Sequence, residues 1–302
     1  MLTEVMEHFI TVKHGTYVDG TLGGGGHAEA IAERLSGGTV IGIDADADAI
    51  RTAEERLKRF GDAVRLVNDN TANLASVLRT MNVTSINGIL LDLGVSSYQL
   101  DEGSKGFSFR SDERLDMRMD RRQLLDAYQV INTYGEEELA DIIFHYGEER
   151  MSRRIARRIV QRRNEAPIET TGRLAEIVEG VVGGKFAVKT MARVFQAVRI
   201  EVNDELNRLR TILKDTLPVL APGGRIVVIA YHSLEDRIVK TFFNECAADR
   251  IPSGNQFQPD TPRHPDLRII TKKPLEAGEE EQQRNPRSRS AKLRVAERTA
   301  AA

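Results

Sequence analysis

The glycine-rich segment 20–26 (GTLGGGG) constrains the fold of this chain more than any other feature, because regular structure is predicted on both sides of it. Residues 16–19 (TYVD) have the pattern of a strand, and residues 27–35 (HAEAIAERL) have helical spacing. Residues 39–44 (TVIGID) form a second apolar strand that ends in Asp44, where an acid can hold a ribose. This order predicts the nucleoside-cofactor half of a parallel α/β sheet.

Two classes of cofactor fit such a loop. Gly23, Gly25 and Ala28 match the spacing of the dinucleotide fingerprint, which keeps NAD as an alternative. Asp19 ends the first strand and directs a carboxylate toward the loop, where it would repel a pyrophosphate. S-adenosylmethionine carries an ammonium and a sulfonium, so the same acid favours it. We therefore predict S-adenosylmethionine as the cofactor and Asp19 as one of its contacts.

A second polar edge follows the apolar strand at 88–91 (GILL). An uninterrupted apolar run is typical of a parallel strand buried on both faces, and ligands bind beyond the carboxyl ends of such strands. Asp92, Ser96, Ser97 and Gln99 come directly after this run. We expect these side chains to complete the site.

The remaining chain predicts an inserted helical segment followed by a return to the sheet. Five ranges after Asp120 have helical spacing, and none between them is a convincing strand. Residues 221–224 (APGG) are predicted to stop a helix, and residues 225–230 to form a fifth strand. Two further strands, 266–272 and 292–297, are predicted to complete the sheet. Residues 250–265 are predicted as an irregular loop and 278–290 as mobile. The helical ranges are 124–132, 136–146, 150–163, 171–182 and 190–213.

Composition limits the class of protein. The chain has 302 residues, enough for about two domains, and 40% of them are hydrophobic. Cys246 is the single cysteine and the six histidines lack metal-ligand spacing, so we expect no disulfide and no metal. No apolar run has membrane-spanning length and the N-terminus lacks a signal-peptide pattern, which predicts a cytoplasmic protein without a membrane partner.

Positive charge is concentrated in two segments although the net charge is −2. Residues 105–200 contain 18 Lys and Arg against 15 Asp and Glu, and residues 284–298 contain six basic residues and one acid. We expect both segments to contact phosphates, through Arg287, Arg289 and Arg294 in the tail and Arg154, Arg157 and Arg158 in the insertion. The alternative for the insertion is an ordinary solvated helix face whose arginines pair with acids such as Glu136.

Several motifs together resemble one family. They include DGTLGGGGH (19–27), GILLDLGVSSYQLD (88–101), LDMRMD (115–120), FQAVRIEVNDEL (195–206), HSLEDRIVK (232–240) and NPRSRSAKLRVAER (285–298). In this order they resemble the bacterial 16S rRNA cytosine-N4-methyltransferases that act on the decoding-centre cytosine 1402, and the resemblance covers nearly the whole chain. It implies an α/β fold, a Rossmann-like seven-stranded methyltransferase sheet with an inserted all-helical domain. The corresponding domains would be 1–108 and 201–302 for methyl transfer and 109–200 for substrate recognition.

The resemblance also implies cofactor contacts and a partner. The contacts would be Gly25, Gly26, His27, Asp44, Thr71, Asp92 and Gln99. The partner would be 16S rRNA, within the small ribosomal subunit and not DNA, and the enzyme would be a monomer or a homodimer. Thr71 stands where the family often has an aromatic residue, Tyr231 where phenylalanine is common, and Tyr98 where proline is usual.

The chemistry of amino methylation points to Asp92 and His232. The N4 atom of cytosine is a poor nucleophile because its lone pair is delocalised, so the enzyme must hold it in line with the methyl donor, and hydrogen-bond acceptors for its N–H bonds do this. We expect Asp92 to be one acceptor. His232 could be another, could orient a water, or could cap the following helix, although Ser233 with Asp236 better fits the capping pattern.

An aromatic surface for the extracted base must come from outside the Asp92 segment. The candidates are Tyr98, Phe107, Phe109 and Tyr231, with Tyr231 and Phe109 preferred; ordinary packing is the alternative for Phe107 and Phe109. Two other functions remain open for the whole chain. One is a small-molecule methyltransferase or NAD oxidoreductase, and the other is a non-catalytic RNA-binding assembly factor. The inserted helices argue against the first, and the carboxylates at 19, 44 and 92 argue against the second.

Overall fold

The computed structural model describes residues 1–94, 105–255 and 257–300. The chain divides into two compact units. The sheet unit contains residues 1–94 and 206–302, and the inserted unit contains residues 95–205. In the described ranges, no helix has both the length and the apolar character needed to cross a bilayer. The assignment of the units to methyl transfer and substrate recognition stays a prediction.

Within the described ranges, the sheet unit is built on one sheet of eight strands. β1 to β5 are parallel in the order β3-β2-β1-β4-β5, and β10 then runs antiparallel to β5, β8 and β9. The predicted fold class is confirmed, with one strand more than expected because β10 pairs along its outer edge with two short strands. The strands of the chain are β1 (Thr16–Asp19), β2 (Thr39–Asp44), β3 (Val64–Asn68), β4 (Ile86–Asp92), β5 (Leu220–Ala230), β6 (Arg250–Ile251), β7 (Thr261–Pro262), β8 (Leu267–Ile269), β9 (Leu275–Glu276) and β10 (Lys292–Arg298), of which β6 and β7 form a separate pair.

The strand order creates a switch point beside β1. The chain moves outward from β1 to β3, returns, and places β4 on the other side of β1. Open parallel sheets bind ligands in the crevice at such a point, beyond the carboxyl ends of the strands. Asp19 and Asp92 are the last residues of β1 and β4, so the topology brings both carboxylates to this crevice.

Among the residues that the structure describes, helices α1 to α4 and α10 to α12 belong to the sheet unit and helices α5 to α9 to the inserted unit. The helix bounds are α1 (Leu2–Phe9), α2 (Gly26–Ala32), α3 (Ala47–Leu57), α4 (Leu74–Thr80), α5 (Ala127–Thr133), α6 (Glu136–Gly147), α7 (Ser152–Glu165), α8 (Thr171–Val182), α9 (Ala187–Asn203), α10 (Glu205–Thr216), α11 (Ser233–Ala247) and α12 (Glu279–Arg284).

Two predictions for the second half of the sheet unit were wrong. Residues 221–224 belong to β5, where the pairing with β4 shifts register between Ile86 and Gly88 and Gly223 takes a φ of +75°. The extra residues on β5 form a bulge, so a proline and two glycines remain in the strand. The loop at 250–265 contains β6 and β7.

Segment 278–290 contains α12 and a 3₁₀ turn at Pro286–Ser290, and its mobility stays a prediction.

The inserted unit has its own apolar core. Phe107 is buried in that core with Leu115 and Met117, and Phe109 packs edge-to-face on Phe195 with ring centroids 5.4 Å apart. Both phenylalanines therefore make the ordinary packing contacts that were the alternative to base stacking.

The predicted helix at 190–213 is in fact two helices. α9 ends at Asn203, and Asp204 adopts a left-handed φ of 47° before α10 begins. The buried Asn203 side chain accepts a hydrogen bond from the Met119 N–H and donates one to the Met117 carbonyl. These tertiary bonds hold the last turn of α9 on the inserted unit.

Candidate active site

Asp19 is a buried carboxylate with one oxygen left unsatisfied. It ends β1 and is fully buried, and its Oδ1 accepts a hydrogen bond of 3.3 Å from the Thr21 N–H. Its Oδ2 is buried and finds no hydrogen-bond partner among the described residues. Burial raises the pKa of Asp19 from 3.8 to about 6, against the opposing attraction of His27. Buried charges are normally paired, so this oxygen indicates a cationic or N–H-donating ligand.

The raised pKa of Asp19 has a consequence for stability. The fold favours the protonated form, so this group adds stability below pH 3.8 that is lost as the pH rises through about 6. We expect Asp19→Asn, which mimics the neutral form, to raise the free energy of unfolding of the ligand-free protein at pH 8 by up to about 3 kcal/mol, and by about half as much at pH 5.

Urea unfolding of both proteins at these two pH values measures the effect. A variant less stable than the parent at pH 8 would show that the carboxylate has a favourable partner inside the fold.

The glycine loop brings backbone close to the neighbouring strands. A side chain at Gly20 would meet Thr71 Cγ2 at 2.7 Å and Leu91 Cδ2 at 2.8 Å, so any other residue there would have to displace both of these side chains. Gly25, the residue before α2, has a φ of +78°, a backbone conformation that glycine adopts without strain. The loop therefore approaches the end of β4 and leads into the N-terminus of α2, next to His27.

Asp44 holds the glycine loop in place. Its Oδ2 accepts a hydrogen bond of 2.8 Å from the Gly23 N–H, and its Oδ1 accepts one of 2.9 Å from the Asp46 N–H. The carboxylate is only partly buried. Asp44 thus shapes the loop in addition to its predicted contact with a ribose, which stays a prediction.

Thr71 lies behind the loop. It is 8% exposed, and its hydroxyl donates a hydrogen bond to the Gly20 carbonyl. Its position supports the loop backbone, and its predicted contact with the cofactor stays a prediction. Gln99, the last of the predicted cofactor contacts, lies outside the described residues, as does Tyr98.

Asp92 is the centre of a cluster at the end of β4. Its Oδ1 accepts a hydrogen bond of 2.9 Å from the Tyr231 hydroxyl, and its Oδ2 lies 3.6 Å from His27 Nδ1. Its backbone N–H donates to the Thr21 hydroxyl at 2.6 Å. Burial raises the pKa of Asp92, while His27 and the hydrogen bond from Tyr231 act in the opposite direction. Burial also raises the pKa of Tyr231, with Asp92 contributing.

Two of these partners were missed in the sequence. Thr21 follows Asp19 by two residues, the spacing of an aspartate that accepts from its own backbone, and this pattern could have revealed the turn. The sequence predicts Tyr231 only as an aromatic surface for the base. Its hydroxyl bond to Asp92 joins residues 139 positions apart, and no local pattern indicates it.

His232, not Ser233, caps α11, so the capping prediction was wrong. His232 Nδ1 accepts from the Glu235 N–H at 3.4 Å, and the Glu235 carboxylate accepts in return from the His232 N–H. His232 Nε2 is buried 3.2 Å from Glu235 Oε1, but the geometry makes no hydrogen bond. The catalytic role predicted for His232 stays a prediction.

The basic tail is divided between structural and exposed residues. Arg294 is 8% exposed and binds Asp236 through two hydrogen bonds of 2.6 Å and 3.1 Å. Its predicted phosphate contact was therefore wrong, because the guanidinium is buried and already donates two hydrogen bonds to Asp236. Arg289 is exposed and makes no ion pair with the described residues, and the Lys292 side chain is 42% exposed.

The whole sequence matches known proteins. The family model described as the MraW methylase family matches residues 1–299. A curated protein of Clostridium botulinum, named ribosomal RNA small subunit methyltransferase H, is 47% identical over 98% of this chain and 96% of its own length. The protein of the same name from Pelobacter propionicus is 48% identical over 99% of this chain and 97% of its length. A crystal structure described as a putative rRNA methylase from Clostridium thermocellum is 12% identical, with a TM-score of 0.46, over 98% of this chain and 94% of that chain.

Proposed function

This chain belongs to the MraW methylase family, and on that premise we propose that it uses S-adenosylmethionine to methylate the N4 atom of a cytosine, position 1402, in 16S rRNA. The observation that carries the proposal is the buried, unsatisfied oxygen of Asp19 beside the glycine loop. The name of the curated relatives supports rRNA of the small subunit as the substrate class.

The residues around the loop fit S-adenosylmethionine better than NAD. Asp19 offers a buried carboxylate to the ammonium of the cofactor, and Asp44 offers one to the ribose hydroxyls. A pyrophosphate would meet repulsion from Asp19, and the Gly23 N–H that could bind it already donates to Asp44. When bound, S-adenosylmethionine supplies a methyl group on a positively charged sulfur.

In the proposed reaction, Asp92 holds the reacting amino group. Its carboxylate is partly exposed, and the Tyr231 hydroxyl and His27 flank its two oxygens. An amino N–H of cytosine that donates to Asp92 is fixed in direction, and orientation alone lowers barriers by up to about 7–11 kcal/mol in favourable cases. The N4 atom loses one proton as it gains the methyl group, and the Asp92 carboxylate, whose pKa burial raises, is a suitable acceptor.

Tyr231 acts as a positioning residue for Asp92. We expect Tyr231→Phe to lower single-turnover methyl transfer at neutral pH about tenfold, the scale of one hydrogen bond to a charged group. Because the hydroxyl lowers the pKa of Asp92, its loss should move the acidic limb of the pH–rate profile upward, by roughly one unit if the bond contributes about 1.4 kcal/mol.

Tyr128→Phe, which removes a hydroxyl in the inserted unit, is the matched control and should leave the pH profile unmoved. A lower rate for Tyr231→Phe with an unchanged pH profile would assign Tyr231 to packing alone.

The inserted unit supplies exposed arginines for RNA. Arg153 and Arg154 are exposed on α7 and make no ion pair with the described residues. Arg157 Nε lies 3.3 Å from Glu136 Oε1, the pairing expected if this helix face is simply solvated. Both side chains are exposed, and ion pairs of this kind contribute little to stability. We propose that this unit recognises the RNA substrate.

Methyl transfer from labelled cofactor tests the function. Purified protein is incubated with small ribosomal subunits, 16S rRNA and 23S rRNA, and the modified base is mapped. Label at the N4 atom of one 16S cytosine is the expected result; label only on small molecules, or none, would overturn the proposal. Thermal shifts with S-adenosylmethionine and with NAD separate the cofactor alternatives, and the proposal expects a shift with the first only.

A further inference from the structure

A cavity of about 200 Å³ lies next to the cluster around Asp92. Tyr231 lines it together with His232 and Ser233 at the start of α11 and with the basic residues Arg289 and Lys292. Tyr231 belongs to both places, because its hydroxyl binds Asp92. The cavity is therefore one side chain away from the carboxylate proposed to hold the target base.

The topology explains why basic residues reach this place. β10 runs antiparallel to β5, and Lys292, its first residue, pairs with Ala230, the last residue of β5. The segment that precedes β10 must consequently lie at the carboxyl edge of the sheet, where the switch-point crevice opens. Arg289 belongs to this segment.

The electrostatics of the cavity favour an anion. Arg289 is exposed without an ion pair among the described residues, and Lys292 Nζ is 3.9 Å from Asp236, whose carboxylate Arg294 already binds bidentately. The N-terminus of α11, a helix of 15 residues, adds partial positive charge. Among the described residues that line the cavity, Glu276 is the single acid, and it is exposed; the Glu235 carboxylate lies behind His232, 3.2 Å from its Nε2.

His232 also lines the cavity. Its side chain is nine-tenths buried, and its Nε2 lies 3.2 Å from Glu235 Oε1 but makes no hydrogen bond with the described residues. A phosphate oxygen in the cavity would offer this nitrogen a hydrogen-bond acceptor.

From these observations we propose that the cavity binds a backbone phosphate of the RNA strand next to the methylated nucleotide. The inference rests on the proposed function, and it names the part of the substrate that this side of the site would hold. A base and its phosphate are joined through one sugar, so a phosphate held here would tether the nucleotide whose base reaches Asp92.

The test is the salt dependence of 16S rRNA binding by the full chain. Arg289→Ala with Lys292→Ala should remove the contacts to this one phosphate and reduce the slope of log affinity against log salt by up to about 0.7, the value for one neutralised phosphate on a single strand. Lys240→Ala, which removes an exposed lysine two turns along α11, is the matched control. Glu276→Gln should act in the opposite direction and tighten binding at low salt.

A slope for the double variant equal to that of the parent, or a drop as large for Lys240→Ala, would overturn the phosphate site. Thermal melts and S-adenosylmethionine affinity show that each variant is folded. RNA binding is measured without turnover, so a parent protein that binds 16S rRNA but does not methylate it would count against the proposed function and not against the phosphate site.

Discussion

Replacing Asp92 by asparagine is expected to lower single-turnover methyl transfer by about 10²–10³-fold, the usual cost of removing one preorganised polar group from a reacting centre. The substitution keeps the size of the side chain, and its amide oxygen can still accept from the Tyr231 hydroxyl. The negative charge that attracts the amino N–H bonds and takes up the released proton is lost. The effect should therefore fall on the rate and not on the fold.

Single-turnover rates at saturating RNA, with RNA and cofactor affinities measured separately, distinguish these effects. Asp62→Asn, at an exposed aspartate in the turn before β3, is a control that changes the same charge on the surface. Normal turnover by Asp92→Asn, or a loss confined to RNA affinity, would show that the end of β4 does not contact the reacting nitrogen.

Asp19→Asn is expected to weaken S-adenosylmethionine binding by about 1.5–3 kcal/mol, roughly 10–150-fold, because a hydrogen bond to a charged group is lost in a buried place. The same carboxylate should make cofactor binding by the parent protein depend on pH. Asp19 has a pKa of about 6 without ligand, so its charged form is lost below that value and affinity should fall as the pH drops.

Isothermal titration between pH 5 and pH 8 measures both effects. The asparagine variant should be weak throughout and should lose the dependence that belongs to Asp19. Taken with the expected gain in stability of the ligand-free variant, the result would show that the buried charge serves the cofactor at the expense of the fold. Equal affinities of parent and variant at pH 8 would remove Asp19 from the cofactor site.

Much of the sheet and its three carboxylates could be predicted from the sequence. β1, β2 and β4 are buried, so their apolar runs are nearly unbroken, and in each the run stops at an aspartate. The bounds of β1 and β2 were predicted correctly for this reason. The glycine loop could also be predicted from the sequence. The structure gives the reason for its first glycine, because a side chain at Gly20 would collide with Leu91 and Thr71.

Partners across the fold could not be predicted in this way. The positive charge of Arg294 led to its prediction as a phosphate ligand. Its actual partner, Asp236, is 58 residues away in the sequence, and no local pattern indicates the pairing. Ser233 fits the local capping pattern better than His232. In the structure, however, His232 is the residue with extended backbone directly before α11, and its ring accepts the hydrogen bond from the Glu235 N–H.

The sequence by itself determined strands β1, β2 and β4 and the acids that end them, because backbone propensity and burial on two faces act over a few neighbouring residues. The tertiary structure decided what each of those carboxylates already contacts. Asp19 keeps an unsatisfied oxygen, Asp44 accepts a hydrogen bond from the loop, and Asp92 accepts one from Tyr231. The capacity that a carboxylate has left for a ligand depends on what the fold places within about 3 Å of it, and that is set by the packing of distant segments.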